Sequence, residues 1–165
     1  MNMQALGETI FDIFYLGGVI TLGIIMLVRS KKWDQYRLFG IMAVTLGSGD
    51  AFHLIPRCIA LWGTGLEANA TSLGIGKLIT SITMTVFYIL LFYVYRMRYQ
   101  VKGKRWLDVM CWGFALARVI LCVFPQNEWT SAHPNFAWGI YRTIPLASLG
   151  LLVIILFALK AKEDK

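Results

Sequence analysis

Five long apolar blocks dominate this sequence, at residues 10–28, 38–62, 73–95, 106–124 and 136–159. Each is close to the ~20 residues that cross a ~30 Å hydrocarbon layer as a helix. Lipid offers the backbone no hydrogen-bond partners, so a crossing segment must satisfy its own, and blocks of this length do so as helices. The blocks predict an all-α integral membrane protein of five transmembrane helices, forming a single transmembrane domain over residues 1–165. Charged residues make up only 15% of the chain, against roughly 25% in soluble domains. The first nine residues hold Glu8 and no Lys or Arg. No secretory signal pattern is therefore expected, and the first block reads as a span.

The basic residues set the expected orientation. Arg29, Lys31, Lys32 and Arg37 lie in the first connection. Arg96, Arg98, Lys102, Lys104 and Arg105 lie in the third, and Lys160, Lys162 and Lys165 in the tail. These are alternate connections, so they share one side. The other side carries the N-terminus, "GTGLEANATS" and "PQNEWTSAHPN", with no Lys or Arg. The positive-inside rule then puts the N-terminus outside and the C-terminus in the cytoplasm, in a multi-pass protein of the cell membrane. The net charge of +7 is mostly this topology signal, and the basic loops suit anionic lipid at the membrane surface. Nucleic-acid binding is not expected, because the basic loops are short and abut the membrane. Trp and Tyr cluster at span edges, where amphipathic rings sit at headgroup level. The connection after the fourth block, rich in Pro, Asn and Trp, is expected to fold over the outer face as a cap.

Four basic residues remain: Arg57, Lys77, Arg118 and Arg142. They belong to four different blocks, yet at ~1.5 Å per residue each falls about 6–9 Å below the outer end of its span. A charge in hydrocarbon costs at least ~2.5–3.5 kcal/mol, so side chains at that depth should face protein, water or a ligand. One reading is that each snorkels separately to the outer headgroups. The other is a shared polar cavity opening outward. Asp12 and Asp50 are the acids at hand. Either they pair with two of the arginines as structural ion pairs, or the cavity keeps an excess of positive charge that suits a carboxylate, a phosphate or a lipid headgroup. Arginine's planar fork fits such oxyanions.

The densest polar stretch is "LGSGDAFHLIPRC", residues 46–58. Asp50, His53 and Arg57 are spaced by three and four, which is one helix face. Pro56 removes a backbone hydrogen bond and Gly47 and Gly49 allow close helix approach, so a bent or partly broken span is expected here. Three chemistries fit the stripe. Asp50 orients His53 for proton transfer, as a catalytic pair. Asp50 or His53 carries a proton at mid-depth in coupled transport. Or His53 and Asp50 join Asp12 or His133 around a metal. Only two histidines exist and no metal-ligand spacing appears, so neither a metal site nor a cofactor is predicted. A histidine that merely locks helix packing is the plain alternative. The hydroxyls of Ser48, Ser81, Thr80 and Thr85 are not assigned to a triad, since hydroxyls inside spans commonly bond back to the helix. The three cysteines, Cys58, Cys111 and Cys122, form no C-x-x-C pair and read as small buried residues.

Three functions follow as expectations. The first is a protein whose outward-facing cationic cavity, built from Arg57, Lys77, Arg118, Arg142 and Asp12, binds a small anionic or amphiphilic, lipid-like ligand for transport or sensing. The second is a small intramembrane enzyme acting on a lipid-like substrate, with His53 and Asp50 as acid–base pair. The third is an accessory membrane subunit whose charges pair internally. The expected partners are the lipid bilayer and the ligand, and the sequence leaves a homo-oligomer open.

Overall fold

In the computed structural model, which describes residues 3–63 and 65–163, five α-helices account for most of the chain. They are α1 (Met3–Arg29), α2 (Gln35–Trp62), α3 (Ala70–Arg98), α4 (Arg105–Val123) and α5 (Phe136–Glu163). A 3-10 turn, Pro125–Asn127, follows α4. All five are long and apolar enough to cross a membrane. Each apolar block falls on one helix, apart from Phe124 at the end of the fourth, and α1 and α5 run a turn or more past their blocks because the flanking polar residues do not break them. Lys165 of the basic tail lies outside the described residues.

The stops are local. Asp34 caps α2, its Oδ1 accepting from the Arg37 backbone N–H at 2.9 Å and from the Ser30 hydroxyl at 2.9 Å. Gly103, at φ 78°, turns the chain between α3 and α4 through the left-handed region that glycine enters without a steric cost. One expectation is corrected here: α2 is not broken. It runs as one helix through Pro56, with α1 and α3 packed along it.

Consecutive helices are antiparallel neighbours, and α3 is the hub, packing on α2, α4 and α5, while α1 packs on α2. The main core joins Phe92 and Tyr95 of α3 to Leu107, Cys111 and Ala115 of α4 and Leu149 and Val153 of α5. A second cluster joins Leu38 and Met42 of α2 to Val94 of α3, with Phe157 of α5 against it. Both lie in the half of the bundle nearest the basic loops. Arg96 pairs there with Asp108, and Trp112 Nε1 donates to the Tyr93 hydroxyl at 3.1 Å. That half is filled by large side chains.

Outside these clusters the apolar side chains face outward. Phe14 is 76% exposed, Val28 79% and Val109 71%, and only 11% of the apolar window of α1 is buried in the protein. A helix apolar all round needs apolar surroundings, so the fold is that expected of a multi-pass membrane protein.

Candidate functional site

The polar residues of α2 meet α1 in a regular ladder. Arg57 donates through Nε and Nη2 to the two carboxylate oxygens of Glu8, at 2.7 and 3.1 Å. The Cys58 thiol donates to Asp12 Oδ2 at 3.2 Å, and the Tyr15 hydroxyl to Asp50 Oδ2 at 2.7 Å. At the end of the seam Trp62 Nε1 donates to the Thr9 hydroxyl at 2.9 Å. Glu8 and Tyr15 are seven residues apart, as are Asp50 and Arg57. Seven residues are about two helical turns, so two antiparallel helices with equal spacings bring both pairs together at once. Asp12, only 7% exposed, faces this seam.

Glycines bring α2 and α3 together. Pro56 has no N–H, so the Phe52 carbonyl one turn earlier loses its helical donor. A Cβ on Gly76 would lie 2.2 Å from that oxygen and 2.7 Å from the His53 Cα. Only glycine allows this approach, which sets His53 of α2 beside the α3 turn that carries Lys77. One turn further in, the Thr80 hydroxyl donates to the Gly49 carbonyl at 3.0 Å.

The connection from α4 to α5 folds back over the helix ends. Asn127, fully buried, donates through Nδ2 to the carbonyls of Leu121 and Phe124 at 2.6 and 2.8 Å, satisfying the open end of α4. Glu128 then takes a left-handed conformation at φ 49°, which turns the chain back. Trp129 Nε1 donates to the Cys122 carbonyl at 2.8 Å. The Trp129 carbonyl in turn lies where a Cβ on Gly74 would be, 1.3 Å away. The loop is thus seated directly on α3.

Arg142 of α5 is held by this loop. Its Nη1 donates to Asn127 Oδ1 at 2.9 Å, and its guanidinium carbon stands 4.1 Å from the centroid of the Trp129 ring. Behind it Arg118, 5% exposed, donates through Nη1 to the Arg142 backbone carbonyl, while its Nε has no partner. Among the described residues no carboxylate forms an ion pair with Lys77, Arg118 or Arg142.

These elements enclose a cavity of about 230 Å³ at the end of the bundle away from the basic loops. His53 and Arg57 of α2, Lys77 of α3 and Arg142 of α5 line it, with Glu67 from one connection and Trp129, Ser131 and Pro134 from the other. Three cationic side chains from three helices therefore face one space with one lining carboxylate, and Arg57 is already matched by Glu8. Such a space can hold an oxyanion by charge-assisted hydrogen bonds.

The structure distributes the seven residues singled out in the sequence over three places. His53, Arg57, Lys77 and Arg142 line the cavity. Asp12, Asp50 and Arg118 do not. Asp50 accepts from Tyr15 and Asp12 from Cys58, so neither aspartate pairs with an arginine, and Asp50 is hydrogen-bonded to Tyr15 rather than to His53. Arg118 lies behind the cavity, on the α5 backbone. His133 is exposed on the loop, and among the described residues no three His, Cys, Asp or Glu side chains come together. Glu8 was not singled out by sequence, whereas Asn127 and Trp129 lie in the connection expected to fold over the outer face as a cap, without the contacts that each makes there. The matched seven-residue spacing of Glu8–Tyr15 and Asp50–Arg57 is the signal that points to Glu8. Compared with known protein families, curated proteins and solved structures, the chain matches none.

Proposed function

We propose that this is a multi-pass membrane protein whose cationic cavity binds an oxyanion group, a phosphate or a carboxylate, presented from the outer side of the membrane. The observation that carries the reading is the convergence of Arg57, Lys77 and Arg142 on one cavity, with Lys77 and Arg142 lacking carboxylate partners among the described residues. An uncompensated cation below a membrane surface is costly, and an oxyanion between Arg142 and Lys77 lowers that cost for both. Arg142 is preset for the role. Asn127 takes one guanidinium nitrogen and Trp129 one face, so little side-chain freedom remains to be lost on binding.

Orientation follows from the loops. Basic connections belong on the cytoplasmic side, which turns the cavity outward. The opposite half, filled by Phe92, Tyr95, Leu107, Leu149 and Val153, holds a closed core. A closed inner half fits ligand holding or sensing better than passage through the bundle.

The test is binding by the detergent-purified protein to inorganic phosphate, to glycerol 3-phosphate and to a single-chain phosphate amphiphile, lysophosphatidate, in mixed micelles. Arg142→Gln and Lys77→Gln are each expected to weaken whichever phosphate binds by tenfold or more, which is about 1.4 kcal/mol. Binding of none of the three, or unchanged affinity in both variants, overturns the reading.

A further inference from the structure

Resting on the oxyanion reading, we propose that the bound oxyanion is the headgroup of a single-chain amphiphile, whose apolar chain lies in a groove running from the cavity down the outer face of α5. The groove has a volume of about 480 Å³ and begins at Pro134 and Arg142, two residues that also line the cavity. From there it follows α5 past Gly139 and Thr143 to Ala147, with Phe136, Ile140 and Ile144 as its wall. Phe136, Ile140 and Ile144 recur every fourth residue, so they stand in one row along the helix. All three are exposed, at 82%, 48% and 57%. Gly139, Thr143 and Ala147 form the parallel row of low side chains beside it. The one hydroxyl in that row is already used, since Thr143 donates to the Gly139 carbonyl at 2.8 Å. The floor is therefore apolar along about 12 Å of helix.

The junction decides the class of ligand. Arg142 stands between the two spaces, with its guanidinium on the Trp129 ring and its Nη1 on Asn127. A molecule that engages Arg142 and Lys77 through an oxyanion can leave the cavity beside Pro134 and enter an apolar channel directly. The apolar groove lined by Phe52, Ile55 and Ile75 and the one lined by Val86, Trp112 and Leu116 share no residue with the cavity. Charge at one end and a continuous apolar trough at the other match an amphiphile, whereas a free anion would use the cavity and leave the groove unused.

Two variants separate this from the reading it rests on. Ala147→Phe fills the far end of the groove at an exposed position, about 7.5 Å along the helix from Arg142. Gly139→Leu fills its near end, where a Cβ meets nothing closer than Arg142 Nη2 at 4.0 Å, an ordinary contact. The wild-type protein is expected to bind lysophosphatidate in mixed micelles at least tenfold more tightly than glycerol 3-phosphate. Ala147→Phe and Gly139→Leu should remove most of that advantage, and Ala147→Phe, clear of Arg142, should leave the glycerol 3-phosphate affinity within twofold. Equal wild-type affinities for the two, or groove variants that bind lysophosphatidate as wild type does, overturn the chain site while the cavity reading stands. If Arg142→Gln leaves both ligands bound as before, the cavity reading falls and the chain site with it.

Discussion

The guanidinium carbon of Arg142 stands 4.1 Å from the centre of the Trp129 ring, so a loop residue fixes a helix residue at the mouth of the cavity. A cation over an indole face contributes about 0.5–2 kcal/mol, more as the pair leaves water. Trp129→Leu also removes the Nε1 bond to the Cys122 carbonyl, so it is expected to lower thermal stability by more than that amount and to weaken phosphate binding, with Trp129→Phe intermediate in both. Melting curves and titration calorimetry read the two effects. A leucine variant that binds as wild type does would mean that Asn127 alone holds Arg142.

Glu8 neutralises Arg57 from α1. The pair is about one-third exposed, with side-chain accessibilities of 33% and 29%, so its net contribution to stability is about 0–1 kcal/mol. Glu8→Gln should therefore barely change the melting temperature. It should, however, raise phosphate affinity severalfold, because Arg57 gains a free guanidinium toward the cavity it lines. An affinity that falls would show that Glu8 serves to aim Arg57 rather than to offset it.

Gly74 seats the α4–α5 loop on α3. A methyl group there has no room beside the Trp129 carbonyl, 1.3 Å from the Cβ position. Gly74→Ala should displace the loop at a cost of about 1–3 kcal/mol, the range for overpacking a close contact. Hydrogen exchange at residues 128–134 should accelerate, while exchange in the α3–α4–α5 core around Phe92 and Leu149 stays slow. Uniform acceleration would instead mean that the whole bundle had loosened.

Tyr15 supplies the hydroxyl that Asp50 accepts at 2.7 Å. Tyr15→Phe leaves a half-buried carboxylate short of a donor, at about 1–3 kcal/mol. Asp50→Asn adds to this loss less than its own effect, because the two changes remove one interaction. A double-mutant cycle measures the coupling, and strict additivity would dissolve the bond as an energetic unit.

Asp34 gives a pH dependence with a defined sign. The Arg37 backbone N–H, with the Ser30 hydroxyl behind it, holds its carboxyl below the ordinary value of 3.8. The folded protein thus prefers the ionised form more than the unfolded chain does. That stabilisation is fully present above the unfolded value and is lost as pH falls through the lower folded one. Asp34→Ala should melt below wild type at neutral pH, and the gap should close as the pH drops below 3.8. A gap that stays constant through that range would assign the effect to helix propensity rather than to the cap.

How far the sequence reaches differs between fold and site. The five helices are legible because each needs only a local signal, an apolar run bounded by polar or turn residues. The common depth of Arg57, Lys77 and Arg142 is legible too, since counting residues from a span edge measures position along a helix axis. What counting does not give is rotation about that axis and register against the neighbour. Arg118 has the right depth but turns toward the α5 backbone, and Asp50 turns toward Tyr15. Both outcomes depend on which helix packs where. The cap that holds Asn127 and Trp129 is legible as a loop, but the contacts of these two residues escape notice for another reason. Their roles come from a loop folding back on the end of α4, and no periodic pattern marks such a contact. Pro56 illustrates the opposite case: it frees the Phe52 carbonyl, yet α2 runs on through it as one helix.

The ladder between α1 and α2 also bears on how the chain assembles. By mean hydropathy α1 scores 2.2 and α2 only 1.5, the lowest of the five. In a bilayer the first helix can partition unaided, and the second, which carries Asp50, His53 and Arg57, has the weakest claim of its own. Asp50, Arg57, Cys58 and Trp62 each have a complement on α1, already at the matching height, while His53 faces α3. In a bilayer the first helix would serve the second as a docking rail, lowering the cost of its polar side chains and fixing the register between the two. A one-residue insertion in the middle of α1, between Thr9 and Tyr15, would divide that rail, so that the Glu8–Arg57 and Tyr15–Asp50 rungs could no longer form together.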